Sequence, residues 1–179
     1  MRVITGTARG MVLRTLEGND VRPTTDKVKE AVFSAFQFEI EGRRILDLFA
    51  GSGQLGIEAL SRGAESAVFV DADKNAVKIV KENLAKTKLD SRATVVQTDS
   101  IAFLSMTDRV FDLAFLDPPY EKGLLQKALS KIDSLISEGG AVICEHPFRE
   151  ELDESYGALT KTKEYKYSKT AVTVYRKEG

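Results

Sequence analysis

Asp47-Leu48-Phe49-Ala50-Gly51-Ser52-Gly53-Gln54-Leu55-Gly56 is the stretch on which the fold turns. The apolar run Arg44–Leu48 leads into it, and a helix-like pattern over about 54–62 leads out. Gly51, Gly53 and Gly56 fit G-x-G-x-x-G at a strand-to-helix junction. Glycines at this spacing allow a tight turn, close backbone approach to a ligand and close helix–strand packing. The triplet alone suits a nicotinamide dinucleotide equally well.

Outward from this loop the chain alternates apolar runs with amphipathic stretches. Ser66–Val70, Ala93–Gln97, Phe111–Leu116 and Ala141–Glu145 read as strands; about 74–86, 99–105 and 122–136 read as helices. In the last, Leu124, Leu125, Ala128, Leu129, Ile132, Leu135 and Ile136 form a stripe at helical spacing. Alternation of this kind predicts right-handed βαβ units and a doubly wound α/β fold. Residues 2–15 read as a short strand pair with Gly10 near its turn. Val28, Ala31, Val32, Ala35 and Phe36 predict an amphipathic helix with Thr24 or Thr25 as N-cap. At the far end, 162–167 and 170–175 alternate and predict a closing antiparallel hairpin turning at Ser168-Lys169.

Two acidic residues favour a different ligand from a dinucleotide. Asp47 stands ahead of the glycines, where its charge would repel a pyrophosphate but accept hydrogen bonds from an α-ammonium group. S-adenosylmethionine carries an amino-acid moiety there. Asp71 ends the next strand, 20 residues beyond Gly51, where doubly wound folds place an acid on the ribose hydroxyls. Its alternative role is capping the helix that follows. Ala72 leaves room for an adenine. Asp99 suits an adenine amino group, and Asp99 or Ser100 also suits a helix cap.

Leu116-Asp117-Pro118-Pro119-Tyr120 closes the fourth strand. Consecutive prolines fix φ and remove two N–H donors, leaving a rigid loop with its carbonyls as acceptors. An exocyclic amine on a base is a weak nucleophile, because its lone pair is delocalised into the ring. Acceptors on both its N–H bonds, here the Asp117 carboxylate and Pro118 carbonyl, localise that lone pair for methyl transfer. Tyr120 offers a ring for base stacking. His146, Glu145 and Cys144 end the fifth strand: Cys144 reads as core, while His146 and Glu145 are either structural or pocket-lining.

Composition narrows the class. The 179 residues are 42% hydrophobic and 30% charged, the balance of a globular protein. No apolar run is long enough for a membrane span, and one His with one Cys disfavours a His/Cys metal site. The net charge of -1 hides local basic surfaces. Arg2, Arg9 and Arg14 carry the first 14 residues without an acid, and Lys161, Lys163, Lys166, Lys169, Arg176 and Lys177 face only Glu164 in 160–177. These surfaces are either phosphate contacts or solvated strand faces. The expectation is a cytoplasmic monomer of one domain, with residues 1–20 as an N-terminal β extension and 21–179 as a Rossmann-like core.

These segments together resemble a known family. Arg2-Val3-Ile4-Thr5-Gly6 with Arg9-Gly10, Arg22-Pro23-Thr24-Thr25-Asp26-Lys27-Val28-Lys29-Glu30, Asp47 through Ala64, and Leu116 through Tyr120 run in the order of the RsmD-type bacterial 16S rRNA guanine-N2 methyltransferases. The match covers almost the whole chain. It implies a class I methyltransferase sheet of seven mostly parallel strands, with an antiparallel strand from the last hairpin. It implies S-adenosylmethionine held by Thr25, Asp47, Phe49, Ala50, Gly51, Ser52, Gly53, Gly56, Asp71, Ala72, Asp99 and Ser100. Asp117, Pro118, Pro119 and Tyr120 would serve catalysis, with Arg2, Arg9, Arg14 and Arg22 on 16S rRNA in the small ribosomal subunit. Arg22–Thr25 would lie over the cofactor. The chain departs from the family pattern at Asp71, where glutamate is common, and at Ser168-Lys169, where a glycine is usual. A DNA adenine-N6 methyltransferase shares the Asp-Pro-Pro-Tyr logic, but no added domain for flipping a base out of a duplex is visible. A non-catalytic RNA-binding assembly factor is the remaining alternative.

Overall fold

The first four apolar runs fold as strands: β1 (Arg44–Leu48), β2 (Ser66–Asp71), β3 (Ala93–Gln97) and β4 (Phe111–Leu116). The computed structural model describes residues 1–16, 26–120 and 123–178. The helices are α1 (Asp26–Ala35), α2 (Gln54–Ser61), α3 (Lys74–Thr87), α4 (Ser100–Met106) and α5 (Leu124–Ile132). Thr24 and Thr25, expected to cap α1, lie outside the described residues, as does Arg22.

With β5 (Ile136–Pro147), β6 (Ser155–Tyr156), β7 (Leu159–Lys166) and β8 (Thr170–Lys177), the sheet order is β3-β2-β1-β4-β5-β8-β7-β6, and β1 to β5 are mutually parallel. Strand order reverses between β1 and β4, and in open α/β sheets ligands bind in the crevice outside the strand ends at such a switch point. The closing hairpin is β7 (Leu159–Lys166) and β8 (Thr170–Lys177), and β8 inserts antiparallel between β5 and β7. A bond from Tyr167 N–H to Thr170 O closes its turn. An eighth strand joins the seven expected: β6 (Ser155–Tyr156) pairs with the outer edge of β7. Tyr156 packs edge-on against Tyr175, 5.5 Å between centroids, and the Tyr175 hydroxyl donates to Asp153 O, holding this segment against the sheet.

The two sheet faces carry separate cores. Val28, Val32, Phe33, Ile57 and Val80 from α1, α2 and α3 cover one; Phe103, Leu104, Leu125 and Leu129 from α4 and α5 cover the other. Helical spacing overran one boundary. The stripe through Leu135 and Ile136 predicted a helix to 136, yet α5 stops at Ile132, a 3₁₀ turn covers Asp133–Leu135, and β5 runs Ile136–Pro147. Ile136 is already extended, with φ −103° and ψ 132°. It pairs with Phe111, after which the register shifts so that Leu113 faces Ala141. Gly139 absorbs the irregularity at φ 81°. The Asp112 carboxylate pins it, accepting from Ser137 Oγ at 2.8 Å and from the Arg44 backbone and guanidinium at 2.8–3.1 Å. Burial alone would raise the Asp112 carboxyl; the Arg44 and Ser137 donors instead bring it down to about 2.

The N-terminal strand pair is reduced to one bridge, Arg2 with Val12. Between its arms the chain turns onto α2 instead of running straight. Thr7 N–H donates to Ser61 O, Ala8 N–H to Ser61 Oγ, and Ile4 and Thr5 N–H to the Glu58 carboxylate. Glu58 also meets Lys29 Nζ at 3.1 Å and Arg62 Nε at 2.9 Å. Burial opposes its charge, but these donors outweigh it and hold the Glu58 carboxyl below its ordinary range.

Candidate active site

The glycine loop is built by its carboxylates. After Leu48 the chain must leave the sheet within three residues, and Phe49 takes φ 62°, a conformation uncommon for a side chain with a Cβ. Ala50 N–H still donates to Val70 O, and Gly53 N–H closes a turn onto Ala50 O. Gly51 and Gly53 sit at φ 58° and 81°, where glycine is strain-free. Asp71 Oδ2 takes the Gly51 N–H at 2.8 Å and its Oδ1 takes the Asp73 N–H at 2.9 Å. Asp73, not Asp71, caps α3 by accepting from Asn75 N–H. The helix-cap alternative for Asp71 therefore fails. Its carboxylate ties the loop to the end of the neighbouring strand.

Asp47 is 2% exposed and reaches forward to accept the Gly56 N–H at 3.0 Å in the first turn of α2. A Cβ on Gly56 would stand 2.4 Å from the Phe69 ring and 3.2 Å from Asp47 Oδ2, so only glycine lets helix, strand and carboxylate meet. Burial pushes the Asp47 carboxyl well above its ordinary range; the Gly56 bond opposes this, and the nearby charges of Asp117 and Asp71 add to it. Burial likewise raises Asp71. Ser52 is half-buried beside the loop, and its carbonyl accepts from Asn83 Nδ2 at 3.0 Å. Asp99 caps α4, accepting from Ala102 N–H at 2.8 Å, with Ser100 buried behind it. The capping role holds for Asp99. Ala72 is exposed at the end of β2.

Asp117 lies at the end of β4, followed by buried Pro118, exposed Pro119 and Tyr120, which is 45% exposed. Asp117 lines a small cleft with Val28, Val32, Leu55, Phe115, Ile143 and Val172, beside Lys29 and Glu145. His146 faces elsewhere: it is 2% exposed, with Nε2 2.7 Å from Thr173 Oγ1 and Nδ1 2.9 Å from Pro147 O. Burial lowers its pKa, and both ring nitrogens are engaged within the protein. Cys144 is fully buried, as expected of a core thiol.

The geometry has counterparts. A family model described as conserved hypothetical protein 95 matches residues 1–176. A putative rRNA methyltransferase of Bacillus subtilis, YlbH, is 43% identical over 184 aligned positions spanning all of both chains. The chain belongs to the RsmD family. Ribosomal RNA small subunit methyltransferase D of Escherichia coli K12 is 36% identical across 74% of this chain and 67% of that protein. Among solved structures, a putative methyltransferase from Escherichia coli superposes with TM-score 0.89 at 30% identity, covering 99% of this chain and 98% of that one. A putative methylase from Haemophilus influenzae gives 0.84 at 31% identity, with 99% and 98% covered.

In this RsmD-family chain Asp47, Asp71 and Asp117 gather around one switch point. Arg2 and Arg9 are exposed on the N-terminal segment, although Arg2 also donates to Gly10 O. Arg14 is engaged with Glu82 at 2.6 Å. Sequence reasoning missed the Lys29–Glu58–Arg62 cluster. Its signal was present: Glu58 is the only acid in a helix otherwise flanked by Leu55, Ile57, Ala59 and Leu60. No group of three or more potential metal ligands occurs among the described residues. No helix among them is long and apolar enough to cross a membrane.

Proposed function

We propose that this protein methylates the N2 amine of a guanine in 16S rRNA of the small ribosomal subunit, using S-adenosylmethionine, as a cytoplasmic monomer of one domain. The observation that carries the reading is that Asp47 on β1 and Asp117, directly after the adjacent β4, stand near each other at the switch point. The residues present suit the cofactor. Asp47, buried and protonation-prone alone, gains from a cationic α-ammonium group beside it. The loop 49–53, with Gly56 behind it, would let the ligand approach the backbone, and Asp71 would take the ribose hydroxyls. Asp99, Ser100 and Ala72 would border the adenine, and Thr25 joins the set by resemblance. S-adenosylmethionine supplies a methyl group on sulfonium, a leaving group that needs no acid.

The chain's own work is orientation and electrostatics. The Asp117 carboxylate and Pro118 carbonyl accept the amine's two N–H bonds, Pro119 stiffens the loop, and Tyr120 presents a ring on which the base stacks. Arg2 and Arg9, with Arg14 and Arg22, approach phosphates. RsmD-family relatives named for ribosomal RNA of the small subunit support this substrate over DNA.

The test is transfer of labelled methyl groups to small subunits lacking the modification, with naked 16S rRNA and genomic DNA in parallel. Labelled N2-methylguanosine from subunits, identified by mass spectrometry, is the expected result. N6-methyladenine, or no label despite cofactor binding, would overturn it.

A further inference from the structure

Each residue of the glycine loop from 51 to 53 is held in its own way. Asp71 at the end of β2 takes the Gly51 N–H, and Ala50 O takes the Gly53 N–H. Ser52 O is held from α3, by Asn83 Nδ2 at 3.0 Å. Ser52 O and Gly53 N–H belong to one peptide group, so that peptide is fixed at both ends, and Asn83 is its anchor outside the loop. The same helix backs the next residue, since a Cβ on Gly53 would stand 3.2 Å from Val80 Cγ2.

The rest of this amide holds the N-terminal segment. Asn83 Oδ1 accepts the Arg14 N–H at 2.8 Å and Nδ2 donates to Arg14 O at 2.9 Å, as a neighbouring strand would. A single amide orientation satisfies all three bonds, because one partner is a donor and two are acceptors. The side chain is 1% exposed, and burying an amide is costly unless its groups are paired. Leucine, of similar size, would suit a helix interior better but would leave Arg14 and Ser52 without these bonds. Lys86, one turn on, donates to Val12 O, and Glu82 pairs with the Arg14 guanidinium. Residues 12–14 are thus laid along α3. The chain then runs to Leu16, whose Cδ1 lies 3.9 Å from where a Cβ on Gly51 would stand.

One buried side chain therefore bonds both the N-terminal segment and the glycine loop. Resting on the cofactor of the function proposed above, and on nothing about its target base, we infer that Asn83 is a positioning residue for S-adenosylmethionine. It acts through Ser52. It sets the orientation of the 52–53 peptide and draws residues 14–16 against the loop as a wall of the cofactor site.

Calorimetric titration with S-adenosylmethionine, well below the melting temperature, tests this. Asn83→Ala should raise Kd by about three- to tenfold, the scale of one hydrogen bond. In methyl transfer the KM for S-adenosylmethionine should rise by the same factor while kcat stays within about twofold, the pattern of lost binding rather than lost chemistry. Glu82→Ala cuts the exposed Arg14 ion pair but spares the amide, and its Kd should stay within about twofold of wild type, as exposed pairs contribute little. A purely structural asparagine would instead lower the melting temperature and leave Kd and KM of the folded protein alone. That result overturns the inference, and so does a Glu82→Ala protein weakened as much as Asn83→Ala. Should Asn83→Ala not fold, Leu16→Ala on the half-buried segment decides: a Kd raised at least about twofold supports the wall, and an unchanged Kd overturns it. Wild-type protein that binds no S-adenosylmethionine would sink the cofactor reading itself, a separate result seen before any variant is made.

Discussion

The loop after β1 and the strand ends of β4 and β5 both present carboxylates at the same crevice, but they are built differently. Asp47 and Asp71 each accept backbone N–H groups that shape the glycine loop. Their acidity is part of the fold. Asp117 and Glu145 lie side by side because β4 and β5 are neighbours, although they stand 28 positions apart in the chain. One region is organised by local hydrogen bonding, the other by sheet topology. Damage to the first should therefore reach stability, and damage to the second should reach turnover alone.

Asp117→Ala gives the largest expected effect. Turnover on small subunits should fall by about 10²–10³-fold, the scale of losing one positioned polar group, while cofactor affinity and melting temperature stay near wild type. Unchanged turnover would erase the contrast. Next comes Gly56→Ala, where the new Cβ must displace the Phe69 ring from 2.4 Å. Overpacking of this kind costs about 1–3 kcal/mol, seen by chemical denaturation as a lower midpoint, with weaker cofactor binding alongside. A stable Gly56→Ala protein would mean that the loop tolerates far more movement than its packing implies.

Asp47→Asn should move stability least, and in the opposite direction. The folded state raises the Asp47 carboxyl, so it holds a proton more tightly than the unfolded chain does. Wild-type stability is then lost as pH climbs from the unfolded carboxyl value toward the raised one. Asparagine escapes that loss. Thermal denaturation without cofactor should show Asp47→Asn melting about 1–3 °C higher at pH 7, with the gap closing near pH 4. Cofactor affinity should drop all the same. A lower melting temperature at pH 7 would show that the Gly56 bond, not burial, dominates this carboxylate.

How much the sequence disclosed follows the same division. β1 to β4 and their loops were legible because each is specified within about ten residues, by an apolar run, a glycine spacing or an acid at a strand end. Asp73 as the cap of α3 was hidden by the better-placed Asp71 two residues earlier. The start of β5 was not legible, because Leu135 and Ile136 fit both a helical stripe and a buried strand, and only the Asp112 anchor decides between them. Asp117 announced itself through its prolines. Glu145 and His146 looked alike in sequence, and strand alternation sent one into the cleft and the other into the opposite core. Lys29 and Glu58 read as ordinary helix polarity, since they lie 29 positions apart and the other partners of Glu58, Ile4 and Thr5, lie more than 50 from it.

The position of β8 bears on how the molecule is made. It is the last strand in chain order, yet it sits inside the sheet, with β5 on one side and β7 on the other. During vectorial synthesis the nucleotide-binding strands can assemble early, as N-terminal units do. The nascent chain nevertheless keeps the flank of β5 unpaired until Thr170–Lys177 have left the ribosome. Ribosomal stalling before Thr170 would therefore yield a chain with its glycine loop formed and its sheet still open beside Glu145.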